Sequence, residues 1–127
     1  RRRKDNPMKK SYFDTIPGVV KLDSRVAIYV PSTTDTDKPA DNRQQVETVA
    51  AKMSAMFGGA TATEARGYWV SQSAGLVGEG VTIVYSNASA EAIEDHAAEL
   101  VRICRQIKED MTQEAVSLEI NGAIYFF

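Results

Sequence analysis

Six side chains have the chemistry to hold a polar ligand that carries an aromatic ring: Arg25, Thr33, Arg66, Tyr68, Trp69 and Asn87. Guanidinium groups pair phosphates or carboxylates through two parallel hydrogen bonds. Hydroxyls and amides meet a ribose, and flat rings stack on a base. Packing in the core or against a subunit accounts equally well for Tyr68 and Trp69. What is missing is a set of groups that transforms what it holds. The one histidine, His96, falls at the border of a helical apolar stripe. Cys104 lies inside that stripe as a small hydrophobe, with no second cysteine to make a metal pair. Asp35, Asp37 and Asp41 have the opening spacing of a calcium loop, but Ala40 stands at its glycine position and Val46 at its bidentate glutamate position. Gly58-Gly59 is followed by no lysine and is no phosphate loop. Glu64, Glu79, Glu114 and Glu119 could furnish an acid and a base, yet no spacing singles out two of them. They read as solvated carboxylates on strand faces. No metal, no cofactor and no catalytic residue is expected.

The elements that must position these side chains start with an alternating run. Val26, Ile28 and Val30 fall on one face and Arg25, Ala27 and Tyr29 on the other, the signature of a half-buried strand. It stops at Pro31 and empties into Ser32, Thr33 and Thr34, hydroxyls that serve a ligand or close a turn. Asp41-Asn42 offers a helix N-cap with Gln45 as its capping-box partner, and Val46, Val49, Met53, Met56 and Phe57 then recur at helical spacing as far as Gly58-Gly59. Residues 61–71 read as a second strand, with Gly67 marking a bulge or a close approach. Residues 72–80 read as a small, polar connection. Val81, Ile83 and Tyr85 alternate in a third strand. Ser89 caps a second helix whose stripe runs Ile93, Ala97, Leu100, Cys104, Ile107 and Met111 over about six turns. Val116, Leu118 and Ile120 form a fourth strand, and Asn121-Gly122 turns it into a fifth.

The order β-α-β-β-α-β-β predicts an α+β fold. It would be an antiparallel sheet with two helices on one face, ferredoxin-like plus a C-terminal hairpin strand. A right-handed crossover then runs the first and second strands the same way. That places the Ser32 loop, the first helix N-terminus and residues 72–80 at one end, and Asn87 with Ser89 at the other. The second sheet face is left open. Residues 9–23 have no sustained period, and Ile16-Pro17-Gly18 breaks any helix. The division expected is an arm over 1–23, with 1–7 a non-native remnant ahead of Met8, and a single domain over 24–127.

With 127 residues, the chain is long enough to bury roughly two thirds of its unfolded surface without disulfides or metals. One cysteine and no long apolar run fit a reducing cytoplasm and no membrane span. Six basic residues and one acid fall in residues 1–10, leaving nine basic against sixteen acidic in the rest. So acidic a body disfavours nucleic acid.

The stretches VAIYVPSTT, FGGATATEARGYWV, LVGEGVTIVYS and QEAVSLEING together resemble small phage or prophage proteins that counter the Thoeris defence by sequestering a cyclic ADP-ribose signal. The resemblance implies a non-enzymatic sponge for a cyclic nucleotide in the host cell. It further implies a homodimer or larger homo-oligomer, with pockets near the subunit contact. The alternative is a small protein-interaction module that uses the open sheet face.

Overall fold

The computed structural model describes residues 11–34 and 38–127; Asp35 and Asp37 lie outside them. A short 3₁₀ turn (Tyr12–Thr15) precedes β1 (Ser24–Pro31). The chain continues through a two-strand ribbon, β2 (Thr33–Thr34) with β3 (Lys38–Pro39), to α1 (Arg43–Phe57), β4 (Thr61–Ser71) and β5 (Gly75–Ala88). Next come α2 (Ala90–Asp95), α3 (Ala97–Asp110), β6 (Ser117–Ile120) and β7 (Ala123–Phe126). The main sheet has the order β4-β5-β1-β6-β7 with every neighbouring pair antiparallel.

The α+β expectation holds, and β1 and β4 do run the same way, since both are antiparallel to β5. The sheet is nevertheless not a standard ferredoxin arrangement. The β2–β3 ribbon lies outside it and the second helix is broken, while the fifth strand beyond β6 is the expected hairpin strand. The break falls at His96, whose φ of −104° and ψ of 13° leave the helical range. Its ring packs edge-on to Phe57 at 5.5 Å.

The core is a single layer between the sheet and the helices. Val26, Ile28 and Val30 of β1, Val84 and Ala88 of β5 and Leu118 of β6 meet Val49 and Met53 of α1. Ile93, Leu100, Ile103, Cys104 and Ile107 of α2 and α3 complete it. On β5 the more apolar set, Val81, Ile83 and Tyr85, faces away from the helices. Register decides this: Val26, Ile28 and Val30 pair with Ser86, Val84 and Thr82, so the latter three are buried. Burial pushes the Cys104 thiol up to about 12.

Local signals account for most element ends. Gly58 is left-handed at φ 89° and its N–H closes on the Ser54 carbonyl. Ser89 Oγ accepts from Ala92 N at 3.1 Å. Asn121 and Gly122, at φ 51° and 88°, make the tight turn between β6 and β7. The capping box at α1 does not form. Asn42 Nδ2 instead donates to the carbonyl of Pro31 at 3.2 Å and to Thr82 Oγ1 at 3.1 Å, tying the helix start to β1 and β5. Asp41 takes over at the helix entry, accepting from Arg43 N at 3.0 Å.

The largest departure is at residues 72–80. Only 72–74 form a turn; from Gly75 onward the backbone pairs with β4 without interruption, from Ser71↔Gly75 through Arg66↔Gly80. The ladder hydrogen bonds of β4 override the weak strand propensity of Gly75, Gly78 and Gly80. Gly67 makes no bulge, because its pairing with Glu79 stays in register, and nothing lies within 4 Å of where its Cβ would be. Since β1 pairs with β5 only from Val81 on, the far half of the β4–β5 hairpin projects as an arm.

Candidate functional site

The arm and the end of β1 enclose a cavity of about 520 Å³. Ser32, Thr33 and Pro39 line it on one side, and Arg66, Trp69, Val77, Gly78, Glu79 and Gly80 on the other. That volume suits a nucleoside-sized ligand. The cleft between α1 and α3, at about 150 Å³, does not.

The wall from the body is held firmly. Ser32 N donates to the Gly80 carbonyl at 3.2 Å, carrying the β1–β5 pairing one residue further, and Ala40 N donates back to the Ser32 carbonyl at 2.9 Å. Thr34 Oγ1 donates to the Met111 carbonyl at 3.1 Å, and Gln113 Nε2 donates to the Thr33 carbonyl at 2.8 Å. These bonds fasten the β2–β3 ribbon to the end of α3. The wall from the arm depends on two glycines. A Cβ at Gly78 would lie 2.8 Å from Tyr68 Cε1 and 2.9 Å from Arg66 Nη2. The missing side chain is what lets both groups fold across β5, with the guanidinium 5.8 Å from the Tyr68 ring. At Gly80 a Cβ would collide with Ser32 Oγ.

Of the six expected residues, Thr33, Arg66 and Trp69 line this cavity. Tyr68 stands next to Arg66 on the helix side of the sheet, 62% exposed, while Trp69 follows it on the opposite face of the strand. Arg25 and Asn87 are register partners at the opposite end of the sheet. There Arg25 lies over the Tyr85 ring at 3.6 Å, and Asn87 borders a separate hollow with Gly58 and Thr61.

The residue that composition and spacing passed over is Glu79. It is the one carboxylate among the described residues lining the cavity, and it also lines a neighbouring cavity of about 190 Å³ with Tyr29, Pro31, Gln113 and Ser117. The signal was its setting, Gly78-Glu79-Gly80, a carboxylate between residues with no side chains to cover it. Glu119, by contrast, is engaged: Tyr29 Oη donates to its Oε1 at 2.7 Å, and that bond, with burial, raises the phenol above its usual pKa. Among the described residues no cluster of His, Cys, Asp and Glu could hold a metal ion, and no helix is long and apolar enough to cross a membrane.

No protein-family model and no curated protein matches the chain. Two solved structures do. A phage SAM lyase in its apo state aligns with a TM-score of 0.63 at 23% identity, over 86% of this chain and 94% of that one. A phage SAM lyase in complex with S-methyl-5'-thioadenosine aligns with a TM-score of 0.56 at 22% identity, over 82% and 88%. The fold is thus shared with an enzyme whose bound molecule is a thionucleoside. This overturns the resemblance to anti-Thoeris sponges, the non-enzymatic reading with its interaction-module alternative, and the cyclic ADP-ribose partner. The physical cause of the error is shared chemistry, because both kinds of ligand contain an adenosine and ask for the same ring and hydroxyl partners. A cyclic ADP-ribose also needs its two phosphates neutralised, whereas among the described residues Arg66 is the one cation lining the cavity.

Proposed function

We propose that the chain is a lyase that cleaves S-adenosylmethionine to S-methyl-5'-thioadenosine in the cavity between the hairpin arm and the Ser32–Thr33 wall. The observation that carries this reading is the lining of that cavity: Trp69, Arg66, the hydroxyl residues Ser32 and Thr33 and, among the described residues, one carboxylate, Glu79, around about 520 Å³, in a fold shared with SAM lyases. Trp69 offers a face to the adenine, and Glu79 a counter-charge to the sulfonium or the ammonium. Glu79 also borders the smaller cavity. A substrate can therefore lay its nucleoside half in the larger space and reach past Glu79 with its four-carbon amino-acid half.

The chemistry asks little of the protein. The bond between sulfur and the γ-carbon breaks and its electron pair stays on sulfur, giving a neutral thioether. The γ-carbon is taken by an oxygen of the substrate's own α-carboxylate, closing a five-membered lactone. Every atom is accounted for, and no water, oxidant or protein nucleophile enters. This route suits a cavity whose described lining residues include no histidine and one carboxylate. Carboxylate and sulfonium neutralise each other as the ring closes, so a site that excludes water and holds the chain folded lowers the barrier.

The test is incubation of the purified protein with S-adenosylmethionine, followed by chromatography and proton NMR. Methylthioadenosine with homoserine lactone is the expected pair. The isomeric alkene amino acid in place of the lactone would mean elimination with Glu79 as base. Unchanged substrate under saturating conditions would refute the reading. S-adenosylhomocysteine, which has no sulfonium leaving group, should survive intact.

A further inference from the structure

The body-side wall of the cavity holds one buried hydroxyl that packing does not explain. Thr33 is only 7% exposed, and its Oγ1 is buried without a hydrogen-bond partner among the described residues. Its neighbours on the backbone are committed: the Thr33 carbonyl to Gln113 and the Ser32 backbone to Gly80 and Ala40, as is the Thr34 hydroxyl to Met111. A buried hydroxyl with no partner destabilises a fold, and valine has nearly the same shape without that penalty. A hydroxyl kept there, on a residue that lines the cavity, is placed for a group that the chain itself does not supply.

The wall opposite narrows what that group is. Trp69 and Val77 are register partners on the arm and form the apolar side, where a flat base belongs. Ser32 and Thr33 form the polar side. A threonine hydroxyl both donates and accepts, which matches a sugar hydroxyl that does the same. We infer that Thr33 Oγ1 is the hydrogen-bond partner of a ribose hydroxyl on the nucleoside half of the ligand. Thr33 is then the residue by which this cavity distinguishes a ribonucleoside from its deoxy counterpart. The inference rests on the reading of the cavity as a methylthioadenosine site.

The experiment is calorimetric titration of methylthioadenosine and of its 2'-deoxy and 3'-deoxy analogues into the wild type, Thr33→Val and Thr33→Ser, with Tm recorded for each. The wild type and Thr33→Ser should bind the ribonucleoside about threefold to tenfold more tightly than one of the deoxy analogues, the gain of one hydrogen bond. Thr33→Val should lose that preference while its Tm stays level or rises. Full discrimination retained in Thr33→Val, or a lowered Tm with unchanged binding, would make the hydroxyl a structural group and overturn the inference while leaving the lyase reading intact. A wild type that binds none of the three nucleosides would remove the lyase reading, and the assignment of Thr33 with it.

Discussion

Glu79→Gln removes one negative charge and keeps the shape of the side chain, so it isolates electrostatics from packing. S-adenosylmethionine carries a permanent positive charge on sulfur, whereas methylthioadenosine carries none. A carboxylate about 5 Å from that charge, at an effective dielectric constant of about 20, contributes about 3 kcal/mol. Glu79 is only half-buried where the two cavities meet. Solvent screening there cuts the attraction to about 1.5 kcal/mol, or roughly tenfold in affinity. The expected result is a KM for S-adenosylmethionine about ten times higher, with the inhibition constant of methylthioadenosine unchanged. On the lyase reading the same counter-charge would let product leave, because the attraction disappears when the sulfonium becomes a thioether. Initial rates over a range of substrate concentrations, with methylthioadenosine as competitor, give both constants in one assay. Equal weakening of substrate and product would refute the reasoning, since a neutral ligand has nothing to lose from the missing charge.

Three further outcomes follow from the geometry. Gly78→Ala puts a methyl group where Tyr68 and Arg66 now cross β5, so activity should fall at least tenfold while Tm moves little; unchanged activity would mean that neither side chain shapes the cavity. Arg25→Ala, at the far end of the sheet, should leave kcat/KM as it is and cost about 0.5 to 1 kcal/mol of stability in urea unfolding through the lost contact with the Tyr85 ring. Cys104, its thiol pushed up to about 12 by burial, should resist iodoacetamide at pH 9 in the native protein and react at once in urea. Because its folded pKa is raised, its contribution to stability is complete below about pH 8.5 and is lost as the pH climbs towards the folded value, which a pH series of urea melts would reveal.

Much of the architecture was legible because it is written in short-range signals. Alternation in residues 24–31, the glycine stop after Phe57, the Ser89 cap and the Asn121-Gly122 turn each have a local cause, and each appears in the structure. The readings that failed depended on distant partners. Residues 75–80 looked like a loop because glycine has little intrinsic preference for a strand, and only the neighbouring β4 backbone makes them one. Asn42 looked like a helix cap and serves as a cross-tie, since β1 and β5 bring better acceptors to its amide. Of the residues named for their chemistry, Thr33, Arg66 and Trp69 line one cavity. Residue types alone do not separate these from Arg25 and Asn87, which strand register puts at the other end of the sheet. Glu79 was passed over because four carboxylates look alike in sequence until one of them is seen between two cavities.

The hairpin arm has a consequence for how the molecule breathes. Beyond Arg66 and Gly80 the two strands have only each other, and an isolated two-stranded ribbon is marginally stable in water and twists more than a wide sheet. Protection of its amides against hydrogen exchange should fall off stepwise from Val81 towards the turn at Ser73, even as Val30 and Val84 in the buried layer stay closed. The cavity thus joins one wall tied by hydrogen bonds to β5 and to residues 111–113 to another whose strands pair only with each other. A nucleoside bridging Trp69 and Thr33 would tie the second wall to the first, slowing exchange along the arm for as long as it stays bound.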